Sequence, residues 1–334
     1  MLKSATIALA LLAGNVSTRA IAADEAAPSH AASIVLLGTK GGPTADPERS
    51  EPANLLVVDG HTYLIDAGAG VARQLAAAGH APPTIHTIFL THHHLDHTAG
   101  LESLIGLNWI GNGLFGRHDP VDIYGPPATD HLVAAALDYL STSQRIFRAG
   151  IPSLPDSRTM YRAHVIDANG QFFDDGTVKV TAVENSHFSH PSFGPDGMQD
   201  MSFSYRFDTP EGSVVFTGDT GPSDAVAELA KGADVLVSEV YLSTPESPED
   251  KASAGDALRK ELAEHMAREH LSPAEVGKIA ARAGVKTVIL THIVAAPSDD
   301  LEKTLEAGVH KYFSGPVIVG HDLLTFDLGK PAAK

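Results

Sequence analysis

Four histidines and one aspartate occur in the stretch THHHLDH, residues 91–97. The run TIHTIFL directly before it predicts a strand. Beyond the strand, an extended backbone aims His92 and His94 one way and His93 away from them, and the next turn brings Asp96 and His97 to a neighbouring point. Imidazole and carboxylate suit zinc or a similar divalent ion, and the absence of cysteine excludes thiolate sites. The spacing predicts a metal site, with an exposed histidine tract that buffers metal as the alternative.

A catalytic metal site needs more ligands than one short stretch supplies, whereas a metal-buffering tract does not. Three further candidate ligands follow predicted strands: His187 after TVKVTAVEN, Asp219 after SVVFTG and His292 after VKTVIL. Strand ends on a rigid scaffold commonly carry functional groups. His190 stands three residues beyond His187, and the sequence leaves it open as a rival ligand. These positions favour the catalytic site over the buffering tract.

The motifs around these residues resemble those of metallo-β-lactamase-fold hydrolases, in the branch that contains ribonuclease Z and the arylsulfatase-like and cyclic-nucleotide phosphodiesterase-like bacterial enzymes. They run through nearly all of the chain after its first two dozen residues: LGTKGGP, LIDAG, THHHLDH, NSHF, FTGDT, LVSEV, EHLSP, LTHI and VGHDLLTF. The resemblance implies a four-layer αββα sandwich with a dinuclear site on one edge. It also implies that His92, His94 and His187 hold one ion, that Asp96, His97 and His292 hold the other, and that Asp219 bridges both.

Two divalent ions, Zn²⁺ or alternatively Mn²⁺, would give this site its chemistry. A water shared by two such ions loses a proton near neutral pH and becomes a bridging hydroxide, which Asp96 can orient, while the ions clamp the anionic centre under attack. The resemblance further implies that His270, in REHLSP, contacts the substrate's anionic group and acts as general acid, with Glu239, in LVSEV, orienting it. Taken alone, His270 is equally well read as a surface histidine near a helix end.

The elements that must position these residues are only partly readable. Asp59-Gly60 between two apolar runs predicts a hairpin, and the glycine loop in LGTKGGP is expected to be a tight turn because it lacks a P-loop ending. Asp66 is expected to bond backbone amides around the site. Ser272-Pro273-Ala274-Glu275 predicts a helix start, and a helix is expected around 129–147. Within 101–175 the sequence also predicts a short strand, VDIYG, that ends at Pro126-Pro127, and looser polar stretches around it.

The N-terminus predicts export. Lys3 precedes the apolar run ATIALALLAG and a small-residue cleavage pattern follows, so residues 1–23 are expected to be a signal peptide and 24–334 a single hydrolase domain in the periplasm or outside the cell. The chain holds no apolar run of 18 residues, which argues against stable membrane insertion.

Charge and spacing suggest a class of substrate. The formal charge of −17 repels polyanions, and the 32 positions between His187 and Asp219 are too few for the arm with which ribonuclease Z grips tRNA, so nucleic acid is excluded as a partner. The expected function is an exported dinuclear-metal hydrolase of small anionic esters, either aryl sulfates or phosphodiesters, with a homodimer left open. The alternatives are a lactone or β-lactam hydrolase and a non-catalytic metal-binding protein of the same fold.

Overall fold

The computed structural model describes residues 32–42, 44–194, 196–243 and 255–329, and these residues form two seven-stranded sheets. The first sheet has the order β14-β1-β2-β3-β4-β5-β6. Its strands are β1 (Ala32–Gly38), β2 (Ala53–Val58), β3 (His61–Ile65), β4 (Thr87–Phe89), β5 (Val121–Gly125), β6 (Tyr161–Val165) and β14 (Thr325–Asp327). Strands β3 to β6 pair in parallel, so their carboxyl ends share one edge of the sheet.

The second sheet repeats this plan in the order β13-β12-β11-β10-β9-β8-β7. Its strands are β7 (Gly170–Asp174), β8 (Lys179–Glu184), β9 (Phe203–Thr209), β10 (Gly212–Phe216), β11 (Val235–Tyr241), β12 (Thr287–Val294) and β13 (Val317–Val319). Strands β10 to β13 pair in parallel. Each sheet therefore brings a set of parallel strand ends to an edge where loop residues can meet.

Helices cover the outer face of each sheet. They are α1 (Val71–Ala77), α2 (Leu95–Thr98), α3 (Leu101–Leu114), α4 (Thr129–Gly150), α5 (Asp224–Leu229), α6 (Asp256–Glu269), α7 (Pro273–Ala283) and α8 (Leu301–Val309). One apolar core joins α1, α3 and α4 to the first sheet, and another joins α5, α7 and α8 to the second sheet. A third core, rich in aromatic residues, lies between the sheets. The predicted αββα sandwich is confirmed.

Several local predictions are confirmed because the sequence signal acts locally. Asp59 and Gly60 both adopt positive φ, at 49° and 81°, as the tight turn between β2 and β3 requires. Ser272 Oγ accepts a hydrogen bond from the backbone N–H of Glu275 at 3.2 Å and so caps α7, which ends before Gly284 at a φ of 66°.

Helix α3 is the main element that the sequence does not reveal. Its sequence LESLIGLNWIGNGL holds three glycines, which lower helix propensity. Tertiary packing explains them: a Cβ at Gly111 would lie 2.3 Å from Pro83 and one at Gly113 would lie 2.7 Å from Leu154. The glycines allow close approach, and the gain from packing outweighs the propensity.

The predictions for the N-terminus concern residues that lie outside the described ranges. The signal peptide at 1–23 belongs to them, so export stays a prediction, as does the assignment of 24–334 to a single domain. Among the described residues, no helix combines the length and the apolarity needed to span a bilayer.

Candidate metal centre

The first sheet delivers four of the predicted ligands in one short stretch. Strand β4 ends at Phe89, the backbone runs extended through the histidines, and α2 begins at Leu95. His94 has φ −60° and ψ 151°, which is extended, whereas Asp96 and His97 lie in the single turn of α2. The extended segment followed by a turn is the local geometry that the spacing predicts. His93 points away, with its Nε2 3.0 Å from Thr129 Oγ1.

The second sheet delivers one predicted ligand at each of three strand ends. His187 follows β8 and Asp219 follows β10. His292 lies within β12 near its end and not beyond it, because β12 runs four residues past the predicted strand to Val294. His292 adopts a φ of 42°, a conformation uncommon for a residue with a side chain, at the point where β12 passes the site.

These residues form two clusters that share one carboxylate. His92, His94, His187 and Asp219 offer ligand atoms that all lie within 4.8 Å of one another, and the same holds for Asp96, His97, Asp219 and His292. The clusters contain all seven predicted metal ligands, and the shared residue is the predicted bridge.

The geometry also separates the two rival histidines. His187 is buried in the first cluster, with its Nε2 3.0 Å from His94 Nδ1. His190 is exposed and belongs to neither cluster. Of the two residues that the sequence leaves open, the structure therefore brings only His187 to the other ligands.

The two clusters fit divalent ions by a test internal to the structure. Buried polar atoms are normally hydrogen-bonded, yet several that face the clusters have no hydrogen-bond partner. These atoms are His92 Nε2, His97 Nε2, His292 Nε2 and Asp219 Oδ1. Each is a nitrogen or oxygen atom of the kind that binds zinc or manganese. A pair of ions would satisfy all of them.

The pKa shifts in the two clusters follow from burial and from the neighbouring carboxylates. Burial lowers the pKa of His187 to about 4, so this imidazole is neutral and ready to bind metal. In the other cluster, burial opposes charge but the carboxylate of Asp219 outweighs it and raises the pKa of His292 to about 10. Protons on this imidazole and on His97, whose pKa Asp219 and Asp66 raise, offset the buried carboxylates. A divalent ion would displace these protons.

Outer contacts fix how the ligands point. Asp66 accepts a hydrogen bond from the Thr91 backbone N–H at 2.8 Å, as the sequence predicts, and also lies 2.8 Å from His97 Nδ1. His187 Nδ1 lies 3.0 Å from the carbonyl oxygen of Glu269. With Nδ1 engaged in each ring, Nε2 is left for metal. The Glu269 contact has no sequence signal because it uses a backbone atom.

The glycine loop after β1 contacts the site, which the sequence does not reveal. Gly42 N–H donates to Asp96 Oδ2 at 3.0 Å. A Cβ at Gly41 would lie 2.6 Å from His292 Nδ1, so only glycine allows the loop to pass here. The loop thus restrains one carboxylate and one imidazole of the site.

The predicted acid and its partner lie beside the clusters. His270 Nδ1 lies 2.8 Å from Glu239 Oε2, and the other carboxylate oxygen accepts the Thr220 backbone N–H at 2.7 Å. The His270 ring is centred 5.1 Å from that of His187 and 6.0 Å from that of His292. His270 is 7% exposed, which contradicts the reading of it as a surface histidine. Burial lowers its pKa, but the Glu239 carboxylate outweighs this and raises it.

Comparison with known proteins gives a family. A family model described as a β-lactamase superfamily domain matches residues 61–293. Ribonuclease Z of Mycobacterium bovis (strain BCG / Pasteur 1173P2) is 31% identical over 295 residues, which cover 87% of this chain and 96% of the relative.

Solved structures agree on the fold. The metallo-β-lactamase fold protein YhfI from Bacillus subtilis superposes with a TM-score of 0.65 at 19% identity, covering 89% of this chain and 99% of its own. The short form of human tRNase Z superposes with a TM-score of 0.60 at 20% identity, again covering 89% and 99%.

The relatives overturn one prediction, that the partner is a small-molecule ester and that nucleic acid is excluded. That prediction rested on net charge and on a missing arm. The M. bovis ribonuclease Z aligns with this chain over 96% of its own length. Too little chain length for an arm therefore does not distinguish this chain from proteins named ribonuclease Z. Net charge describes the whole surface, and screening over roughly 10 Å leaves the local field of the site to decide binding.

The family model, the curated relative and the two-sheet fold point the same way: this chain belongs to the ribonuclease Z family within the β-lactamase superfamily.

Proposed function

We propose that this chain is a metal-dependent phosphodiesterase that acts on RNA. The observation that carries the proposal is the junction of two ligand clusters at one carboxylate, Asp219, with the His270–Glu239 pair beside them. The family, whose relatives include proteins named ribonuclease Z, supports a phosphodiester in RNA as the bond to be cut.

Seven side chains would hold the ions. His92, His94 and His187 would hold one, Asp96, His97 and His292 the other, and Asp219 both. When bound, two divalent ions supply positive charge that acidifies a water molecule and stabilises an anionic phosphate under attack. Asp96 would accept a hydrogen bond from the attacking water, and Gly42 N–H keeps that carboxylate in place.

His270 would supply the proton that the leaving oxygen needs. Its Nδ1 is engaged by Glu239, so Nε2 remains for the substrate. The Glu239 carboxylate raises the pKa of His270 and so favours the protonated ring that a general acid requires. Glu239 is itself held by the Thr220 N–H, which fixes the direction of the imidazole.

The test uses the full chain loaded with zinc or with manganese. Bis-p-nitrophenyl phosphate, a single-stranded oligoribonucleotide and a tRNA with a 3′ extension are offered as substrates, beside p-nitrophenyl sulfate and a chromogenic lactam. We expect metal-dependent cleavage of the phosphodiesters, including at least one RNA, and its loss in the presence of a chelator.

Other outcomes would contradict the proposal. Cleavage of the sulfate or the lactam with no action on any phosphodiester would assign a different bond to the site. Tight binding of two ions without cleavage of any of the five substrates would make this a metal-binding protein. Cleavage of bis-p-nitrophenyl phosphate with both RNA substrates intact would keep the bond but overturn the RNA assignment.

A further inference from the structure

A cavity of about 280 Å³ opens beside the first ligand cluster. It is lined by the ligand His94, by His93 and by part of the rim segment, which we define as residues 188–201 without Pro195. The rim segment contributes Phe188, His190, Ser192, Asp200 and Met201. A substrate whose phosphate lay at His94 and Asp219 would therefore have this cavity beside its scissile bond.

The wall nearest the ligands is aromatic. The Phe188 ring is centred 5.4 Å from the His94 ring and 5.2 Å from the His187 ring. The next residue, Ser189, donates a hydrogen bond to the buried carboxylate of Glu269, which ties this part of the rim segment to the end of α6. Phe188 is thus held between the ligands and the cavity. A flat ring at this place can stack on a planar group, and the thioether of Met201 suits the same contact.

Besides the ligand His94, the polar side chains that line the cavity include two imidazoles and a hydroxyl, which can donate or accept, and the carboxylate of Asp200, which only accepts. Asp200 is half-buried and lines the cavity together with His93. Among the described residues that line the cavity there is no lysine or arginine. The cavity therefore disfavours a second phosphate and favours a neutral planar group that carries N–H donors.

We propose that this cavity binds the nucleobase of a nucleotide attached to the scissile phosphate, an inference that rests on the phosphodiesterase function proposed above. Phe188 is the stacking surface, and Asp200 accepts a hydrogen bond from an amino group of the base. Stacking on an aromatic side chain contributes about 1–3 kcal/mol per base, and an acidic side chain is a known acceptor for the amino group of cytosine. The subsite thus selects nucleotides over other phosphodiesters.

The test compares esters with the same phosphate and leaving group on the metal-loaded full chain. They are methyl p-nitrophenyl phosphate and the p-nitrophenyl phosphates of 2′-deoxycytidine, esterified through the 3′ or the 5′ oxygen. We expect kcat/KM for the better deoxycytidine ester to exceed that for the methyl ester by about 5- to 150-fold, the range that one stacked base supplies. Phe188→Leu should bring this ratio towards one, and Phe188→Trp should preserve it.

The matched control is Phe193→Leu. Phe193 belongs to the rim segment, is 63% exposed and does not line the cavity, so the ratio should stay at its original value. A second variant gives a test even if the fold does not tolerate a substitution of Phe188. Asp200→Ala should lower kcat/KM for the deoxycytidine ester more than for the deoxyuridine ester, which lacks the amino group.

Three outcomes overturn the inference and leave phosphodiester hydrolysis intact. Equal kcat/KM for the methyl and nucleoside esters in the unaltered protein would show that no base is bound. An equal fall for both esters in Phe188→Leu would make Phe188 a support for the ligands. If kcat/KM for phenyl p-nitrophenyl phosphate equals that for the deoxycytidine ester, and Asp200→Ala changes neither, the cavity binds any aryl group and is not selective for a base. Failure to cleave any of these esters would instead count against the proposed function.

Discussion

The two sheets contribute to the candidate site in different ways. The first sheet supplies four candidate ligands within six residues, all placed by the end of one strand and the first turn of α2. The second sheet supplies His187, Asp219 and His292 from the ends of β8, β10 and β12, with more than thirty residues between consecutive ligands. One contribution is local and the other depends on how strands pair.

This difference shows where the site depends on the whole fold. The parallel register of β10 with β11 and of β11 with β12 sets Asp219, Glu239 and His292 relative to one another. The register shifts between Ser238 and Val240 of β11 because β12 has one residue more over the same stretch, so Thr291 and His292 lie opposite Glu239. Loss of Asp219 on the second sheet should therefore reach both clusters, whereas a substitution among the first-sheet ligands should act on the one cluster that the ligand belongs to.

Asp219→Ala is the strongest test of this contrast. Asp219 is the one residue common to both clusters, so its loss should reduce bound metal from two ions to one or fewer. Phosphodiester cleavage should fall by more than about a thousandfold because it loses the electrostatic stabilisation that metal supplies. Elemental analysis of the purified protein and initial rates measure both effects.

A matched control is Asp208→Ala, which removes a carboxylate from the end of the adjacent β9, where Asp208 contacts Arg206. Its metal content and rate should stay within about twofold of the original protein. Two ions retained in Asp219→Ala would end the bridging assignment and, with it, the claim that the second sheet joins the clusters.

His270→Ala should separate the chemistry of the second sheet from its metal binding. His270 is proposed to be the acid and not a ligand, so both ions should remain while turnover falls roughly a hundredfold, the scale of a lost general acid. The loss should be smaller for p-nitrophenyl esters than for RNA, because p-nitrophenolate leaves without a proton. The control is His310→Ala at the C-terminal end of α8, where Nδ1 lies 3.0 Å from the carbonyl oxygen of Phe313, and it should change neither quantity. Full activity of His270→Ala on RNA would remove the acid assignment.

Asp66→Asn tests the local contribution of the first sheet. Asp66 fixes His97 through Nδ1 and holds the Thr91 N–H, so its neutral analogue should weaken the second ion. A loss of about 10- to 100-fold in metal affinity is typical when such an orienting group is changed. The ion at His92, His94 and His187 should remain, measured as one tightly bound equivalent during chelator titration. Loss of both ions at the same chelator concentration would show that the first sheet is not local in its effect. The control is Asp122→Asn, which alters a carboxylate on β5 that accepts a hydrogen bond from Arg162 on β6.

The sequence predicts those parts of the site that short motifs determine. The order of His92, His94, Asp96 and His97 needs only a strand end and one turn, and the candidate ligands of the second sheet follow runs with clear strand periodicity. The family resemblance adds the pairing of His270 with Glu239, which lie 31 residues apart and touch only in the fold.

What the sequence does not reveal is set by backbone groups and tertiary packing. The Glu269 carbonyl that holds His187 and the Gly42 N–H that holds Asp96 have no side-chain signature. Helix α3 is hidden by its glycines, and α6 lies outside the predicted elements. The net charge led to the wrong exclusion of nucleic acid because it describes the average over the whole surface, whereas binding depends on the local charge at the site.

Glu239→Gln should give the smallest effect, a change in pH dependence. In the unaltered protein the Glu239 carboxylate raises the pKa of His270, so the protonated acid is lost only as pH rises through that raised value. Without the carboxylate, burial remains and lowers the pKa, so the alkaline limb of kcat should move to lower pH by about one to two units, the equivalent of one charged hydrogen bond. At a pH below the alkaline limbs of both proteins, the variant and the unaltered protein should turn over RNA at similar rates, with metal content unchanged. An alkaline limb at the same pH in both proteins would show that Glu239 holds the Thr220 backbone in place and does not tune the acid, and the second sheet would then contribute position alone.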